Sequence, residues 1–166
     1  MLCPFERRLM NSVTIRTVGV DDLAGVAALW HERMMLQQQA DRRFALAPDA
    51  LTQWLAAANS WLGNSDCIML AAEHRSLLVG YAIGWMQSAP PGMLPERIGV
   101  VSEMHVGVHS SQSGLGRALL DSLRAWFAGQ GAAVVTVHVP RRQPVEQAFW
   151  RALGATEWID IMWVKL

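Results

Sequence analysis

The sequence predicts a single α/β (α+β) domain, a mixed central sheet flanked by helices, in the order β-α-α-β-β-β-α-β-α-β. Three observations carry this. Apolar runs of strand length, rich in Val and Ile, recur between segments of helical 3.6-residue periodicity. Proline and glycine stand at the joints between them. The chain has 166 residues, 52% of them apolar, which suits one domain with a sizeable core and excludes global disorder.

Residues 13–18 alternate as a strand does. Asp21 or Asp22 can cap a helix with the apolar face Leu23, Val26, Ala27, Trp30 and Met34. Residues 37–48 read as a connector. A second helix follows Pro48 and carries Leu51, Trp54, Leu55 and Leu62 on its apolar side. Strands follow at 67–72 and 77–86, joined by a hairpin turn at 73–76. Residues 88–96, SAPPGMLPE, form a loop because their prolines break a ladder.

A strand at 98–106 leads into a glycine turn and a helix at 114–129. That helix buries Leu119, Leu120, Leu123 and Phe127. A Val-rich strand is expected at 133–139. Pro144 opens a helix that Gly154 stops. Residues 158–166 alternate weakly and are expected to form a last strand. The domain is placed at 13–166. Residues 1–12 read as a loose extension, and Met10 is an alternative start.

Lys plus Arg number 14 and Asp plus Glu number 14, so the formal charge is zero. A neutral chain without a basic run argues against nucleic acid or an anionic membrane as partner. No apolar run reaches membrane-spanning length, and the first residues are too weakly apolar for a secretory signal. A cytoplasmic protein is expected. Cys3 and Cys67 are not expected to pair, and the five scattered histidines predict no metal site.

The richest segment is 103–120, EMHVGVHSSQSGLGRALL. A strand ends in a turn of Ser, Gln and Gly, and an amphipathic helix starts at once. Such a turn collects backbone N–H groups at the positive end of a helix, which suits phosphate. A P-loop is excluded, because Gly116 is followed by Arg117 and Ala118. A dinucleotide fingerprint is excluded by Leu119 at its third small position.

The segment resembles the pyrophosphate loop of the GNAT acetyltransferase superfamily. Met104-His105-Val106 stands where that family has Leu-x-Val, and Ser111-Gln112-Ser113-Gly114-Leu115-Gly116 fills the loop. Val135-Thr136-Val137 and Ala148-Phe149-Trp150-Arg151-Ala152-Leu153-Gly154 match the second half in order. The resemblance implies acetyl-coenzyme A as donor. Its pyrophosphate would lie on the N–H groups of residues 112–117, with Arg117 adding charge. Backbone groups at Val106, Gly107 and Val108, freed by a splayed strand, would meet its amide arm. It also implies a primary amine of a small molecule or peptide as acceptor, attacked directly.

Glu103 and His105 share one strand face, opposite Met104 and Val106. Glu103 is the first candidate for the base, or for holding the amine's charge; His105 is the second. Three residues depart from the family pattern. Trp150 stands where many relatives have Tyr, and an indole N–H is too weak an acid to protonate a thiolate. Gln143 replaces the usual Asn, and Ser111 the usual Arg or Gln. A catalytically weak coenzyme A-binding sensor, or an interaction domain with the same fold, therefore remains the alternative.

Trp30, Trp54 and Trp126 fall on apolar helix faces and read as core. Arg42 and Arg43 could bind a substrate carboxylate, whereas Asp41 and Glu32 could favour a cationic acceptor; the sequence does not choose. Arg141 and Arg142 could lie near the phosphates of the cofactor. Relatives are often dimers, and a homodimer through the apolar tail is possible here.

Overall fold

The computed structural model describes residues 13–110 and 114–164. Strand β1 spans Val13–Thr17, followed by a short 3-10 turn at Val20–Asp22 and helices α1, Leu23–Ala40, and α2, Ala50–Trp61. Strands β2, Cys67–His74, β3, Leu77–Ser88, and β4, Arg97–Val106, come next. A 3-10 turn at Val108–Ser110 precedes helix α3, Leu115–Gly129, strand β5, Val135–Val137, and helix α4, Pro144–Ala152.

Among the described residues five strands lie in the order β1-β2-β3-β4-β5. Neighbours through β4 are antiparallel, and β5 runs parallel to β4. A parallel pair needs a crossover, and α3 supplies it. The β2–β3 hairpin turns on Arg75 and Ser76, both at positive φ (50° and 65°). A tight two-residue turn demands that sign to match strand twist, even without glycine.

Side-chain alternation divides the core into two layers. On one face Met69, Ala71, Tyr81 and Ile83 pack under Val26 and Trp30 of α1 and Trp54 of α2. On the other, Leu70, Ala72, Ala82 and Val101 pack under Leu119, Leu120, Leu123 and Phe127 of α3. Phe127 lies directly on backbone: a Cβ added at Gly99 or Gly84 would sit 2.6 or 2.8 Å from its ring. These two glycines let the helix approach the sheet closely.

Several expectations are corrected. Helix α1 continues to Ala40, so the connector shrinks to residues 41–49. Leu51 of α2 is exposed rather than inward, and Leu62 lies beyond the helix. Strand β5 keeps three residues of the seven expected, because β4 and β5 pair only from Gly99↔Val135 to Val101↔Val137. The last strand does not form among the described residues of 158–164. A strand needs a ladder, and this segment has none among the described residues; Ile159, Ile161, Met162, Trp163 and Val164 are exposed. Residues 1–12 lie outside the described residues.

The tryptophans separate by position. Trp30 stacks on Trp54, with Trp61 and Trp85 continuing the array edge to face. Trp126 is half-buried against Phe127 instead of central. Trp158 is exposed.

Candidate active site

The separation of β4 from β5 creates the site. Beyond Val101 and Val137 the two strands no longer pair, although β4 continues to Val106. Among the described residues, 102–106 therefore have one ladder, to β3, and an unpaired second edge. The register slips there as well. Ile83 faces Glu103 while Gly84 faces Val101, so Ser102 is an inserted residue. Such a bulge bends and twists the strand that carries it.

Helix α3 begins beside this opening. Gly114 at its N-cap has φ +79°, a left-handed conformation that suits glycine. The first helical bond is donated by the Ala118 N–H to the Gly114 carbonyl. The N–H groups of Leu115, Gly116 and Arg117 thus have no partner within the helix. Among the described residues no side chain caps them, and no acidic residue lies in the first turn. A Cβ at Gly116 would press on the Phe149 ring at 3.4 Å. Arg117 is exposed at the same end. Ser111, Gln112 and Ser113 lie outside the described residues.

Helix α4 packs beside the start of α3, its Phe149 ring next to Gly116. Gln143 is its N-cap and Pro144 its first residue, with φ already suited to a helix. Trp150 is buried, 6% exposed, and joins the α3 layer of the core. Its Nε1–H is sealed from solvent without a hydrogen-bond acceptor among the described residues. Such a group is costly to leave unpaired, and it fits a ligand that brings a carbonyl or amide.

Glu103 and His105 point to the opposite face of β4, toward α1 and α2, as alternation demands. Glu103 is held on both oxygens: Tyr81 donates its hydroxyl at 2.8 Å and Trp54 its Nε1–H at 3.5 Å. Burial raises the Glu103 carboxyl above the ordinary range, opposed by the Tyr81 and Trp54 bonds and by the nearby Arg33 charge. The Tyr81 phenol is likewise pushed up, by burial and the Glu103 charge. Burial lowers the His105 imidazole, against the opposite pull of Glu32.

Sequence reasoning named Glu32 only as a charge that could favour a cationic acceptor and Trp54 only as core, and missed that they, with Tyr81, meet these two. Glu32 of α1 lies 3.1 Å from His105 Nε2, and the same oxygen accepts the Val108 N–H at 3.0 Å. The Val108 amide, assigned above to the cofactor, thus has a protein partner. Arg33, with 11% of its side chain exposed, lies 3.6 Å from Glu146 of α4. Burial raises the Glu146 carboxyl. The only sequence signal for these partners is that Glu32 and Arg33 interrupt an apolar helix. The other candidates go elsewhere. Arg43 is bound to Asp41, which Arg142 also approaches at 3.8 Å, and Arg141 pairs with Asp160.

The acetyltransferase (GNAT) family model matches residues 27–155. The chain belongs to this family. It is an acetyltransferase. No curated protein matches it in sequence. Among solved structures it is similar to a tetramutant of the BH1408 protein from Bacillus halodurans, with TM-score 0.80, 16% identity, and 92% and 99% of the two chains covered. It is also similar to the aminoglycoside N-acetyltransferase AAC(6')-Iy in complex with CoA, with TM-score 0.72, 16% identity, and 93% and 94% covered. A ribosomal-protein-alanine N-acetyltransferase from Brucella melitensis follows at TM-score 0.67 and 19% identity, with 93% and 99% covered. At these identities the likeness is one of fold.

The residues present fit acetyl-coenzyme A, the donor that the family resemblance implies. An open helix N-terminus suits its pyrophosphate, the unpaired edge of β4 its amide arm, and the Trp150 donor a carbonyl beside that arm.

Proposed function

We propose that the protein transfers the acetyl group to the primary amine of a small molecule or peptide by direct attack. One observation carries the reading: residues 102–106 of β4 leave an unpaired edge beside the α3 N-terminus while presenting Glu103 and His105 to the other face. Donor and acceptor sites thus share one strand. Solved acetyltransferases of the same fold that act on aminoglycosides or ribosomal-protein alanine support an amine acceptor.

In this reading the N–H groups of Gly114, Leu115, Gly116 and Arg117 cradle the pyrophosphate, with Ser111, Gln112 and Ser113 completing the loop and Gln143 flanking it. Val106 and Trp150 line the arm; the backbone of Gly107, expected to be free for it, is occupied, its N–H donating to the Val79 carbonyl at 2.9 Å and its carbonyl accepting the Ser110 N–H at 2.8 Å. Bound acetyl-coenzyme A supplies an acetyl group activated as a thioester. An alkylamine with pKa about 10 arrives as an ammonium. His105 accepts its proton, and the nitrogen lone pair is then free to form the C–N bond. Glu103, with both oxygens occupied, holds the positive charge of the incoming amine. A thiolate of thiol pKa about 8.5 leaves without a strong acid, so Trp150 in place of Tyr permits turnover. The exposed apolar residues of 158–164 support a homodimer, which light scattering tests.

The test is titration calorimetry with acetyl-coenzyme A, followed by thiol release across an amine panel. We expect binding and amine-dependent thiol release. Gly114→Asp places a negative side chain at the cradle and should weaken binding severely; retained affinity removes the cradle. Tight binding without thiol release for any amine favours the sensor.

A further inference from the structure

We infer that Glu32 is the positioning residue of His105, fixing the imidazole as its Nε2–H tautomer and leaving Nδ1 to accept a proton. The inference deepens the reading above and rests on it for the role of Nδ1. Glu32 Oε1 lies 3.1 Å from His105 Nε2 and accepts the Val108 N–H at 3.0 Å. A carboxylate accepts only, so the imidazole nitrogen facing it carries the hydrogen. Among the described residues Nδ1 has no hydrogen-bond partner. The carboxylate is the ionised form, because the His105 and Val108 bonds hold it below its ordinary range against the opposing effect of burial.

The geometry is more than a local pair. Glu32 lies 73 residues before His105 and 76 before Val108, so it ties α1 to the end of β4. Val108 starts the turn that leads to the cofactor loop. One carboxylate oxygen thus fixes the base and the backbone between acceptor face and cradle. The ring has little freedom, with 12% of its side chain exposed. Other charges act on it. Arg33 on α1 lowers its proton affinity, and Glu32 raises it. Tyr81 on β3 is its cross-strand neighbour, Glu103 shares its strand face, and His109 acts on Glu32.

The inference does not need turnover for its test. Two-bond proton–nitrogen correlation spectra of the free protein, labelled at histidine nitrogen, report the tautomer, and His105→Gln assigns the signals. We expect Nε2 protonated and Nδ1 bare above the midpoint of His105. Glu32→Gln keeps the size and a hydrogen-bonding group but removes the charge, and should lower that midpoint by about one pH unit. Glu32→Asp should restore part of the shift. The acidic limb of the pH dependence of kcat/KM should move down with the midpoint, since His105 acts when unprotonated. A protonated Nδ1 with bare Nε2 in the wild-type protein overturns the inference, as does an unmoved midpoint in Glu32→Gln. The expected spectra with no thiol release leave Glu32 as positioning residue and remove His105 as base. Contrary spectra with normal thiol release do the reverse.

Discussion

Helix α3 covers one face of the sheet with aliphatic side chains and one phenylalanine, whereas α1 and α2 cover the other with tryptophans and a buried polar network. The two layers do different work. The α3 layer is dry and tightly seated, with Phe127 on the glycine backbone of β3 and β4. It fixes where the helix begins and therefore where its open N–H groups stand. The α1–α2 layer holds Glu103, Tyr81, His105, Glu32 and Arg33, whose protonation responds to burial and to one another. One layer sets geometry and the other sets charge.

The largest expected effect tests the first half of that contrast. Phe127 is 1% exposed and bridges α3 to two strands. Phe127→Ala should destabilise by about 3–5 kcal/mol, through lost burial and the cavity left behind. The urea midpoint measures it. A cost below about 1 kcal/mol would mean that the α3 layer relaxes easily, and the contrast in rigidity would go. Gly99→Ala probes the same contact from the sheet. Its Cβ would meet the ring at 2.6 Å, so ring or strand must shift, at a cost of about 1–3 kcal/mol. An unchanged midpoint would mean that the ring has room to move.

The α3 layer was legible in the sequence, and the α1–α2 layer only in part. The stripe Leu119, Leu120, Leu123 and Phe127 follows from helical period, and all four are buried. The shared face of Glu103 and His105 follows from strand period. These are local rules that act within one element. Their partners Tyr81, Trp54 and Glu32 come from β3, α2 and α1, between 22 and 73 residues away. No local period records which residues meet across that separation. The short β5 and the unladdered tail failed for a related reason. Alternation marks residues able to join a sheet, but pairing depends on where the neighbouring strand runs.

Tyr81→Phe tests the charge-setting half. The variant removes the hydroxyl bound to Glu103 Oε2 and leaves a buried acceptor short of a partner. We expect a loss of about 1–3 kcal/mol at neutral pH. The pH dependence is the sharper readout. The Glu103 carboxyl is raised in the folded state, so it takes up its proton more readily there than when unfolded. Its contribution to stability is full at low pH and declines as pH rises from the unfolded value, about 4.3, through the folded one. Loss of the Tyr81 bond raises the folded value further and should extend that decline to higher pH. Parallel pH profiles for the two proteins would show that the hydroxyl does not act on Glu103.

Asp22 provides the opposite case within the same half of the molecule, with the smallest expected effect. It lies before α1, accepts two bonds from Arg16 at 2.6 and 2.8 Å, and takes the Gly19 N–H at 2.8 Å. These bonds, led by Arg16, lower its carboxyl to about 2. Its contribution is therefore present above the unfolded value, about 3.9, and fades as pH falls through the folded one. Arg16 is 38% exposed, so solvent and salt screen the pair. Asp22→Asn should cost only about 0.2–1 kcal/mol at neutral pH, less in high salt. The gap between wild type and variant should narrow below pH about 4 and close as pH falls through about 2, where the Glu103 contribution is full. If the gap instead widened on acidification, burial rather than pairing would govern Asp22 as well, and the distinction between solvated and sealed carboxylates would fail.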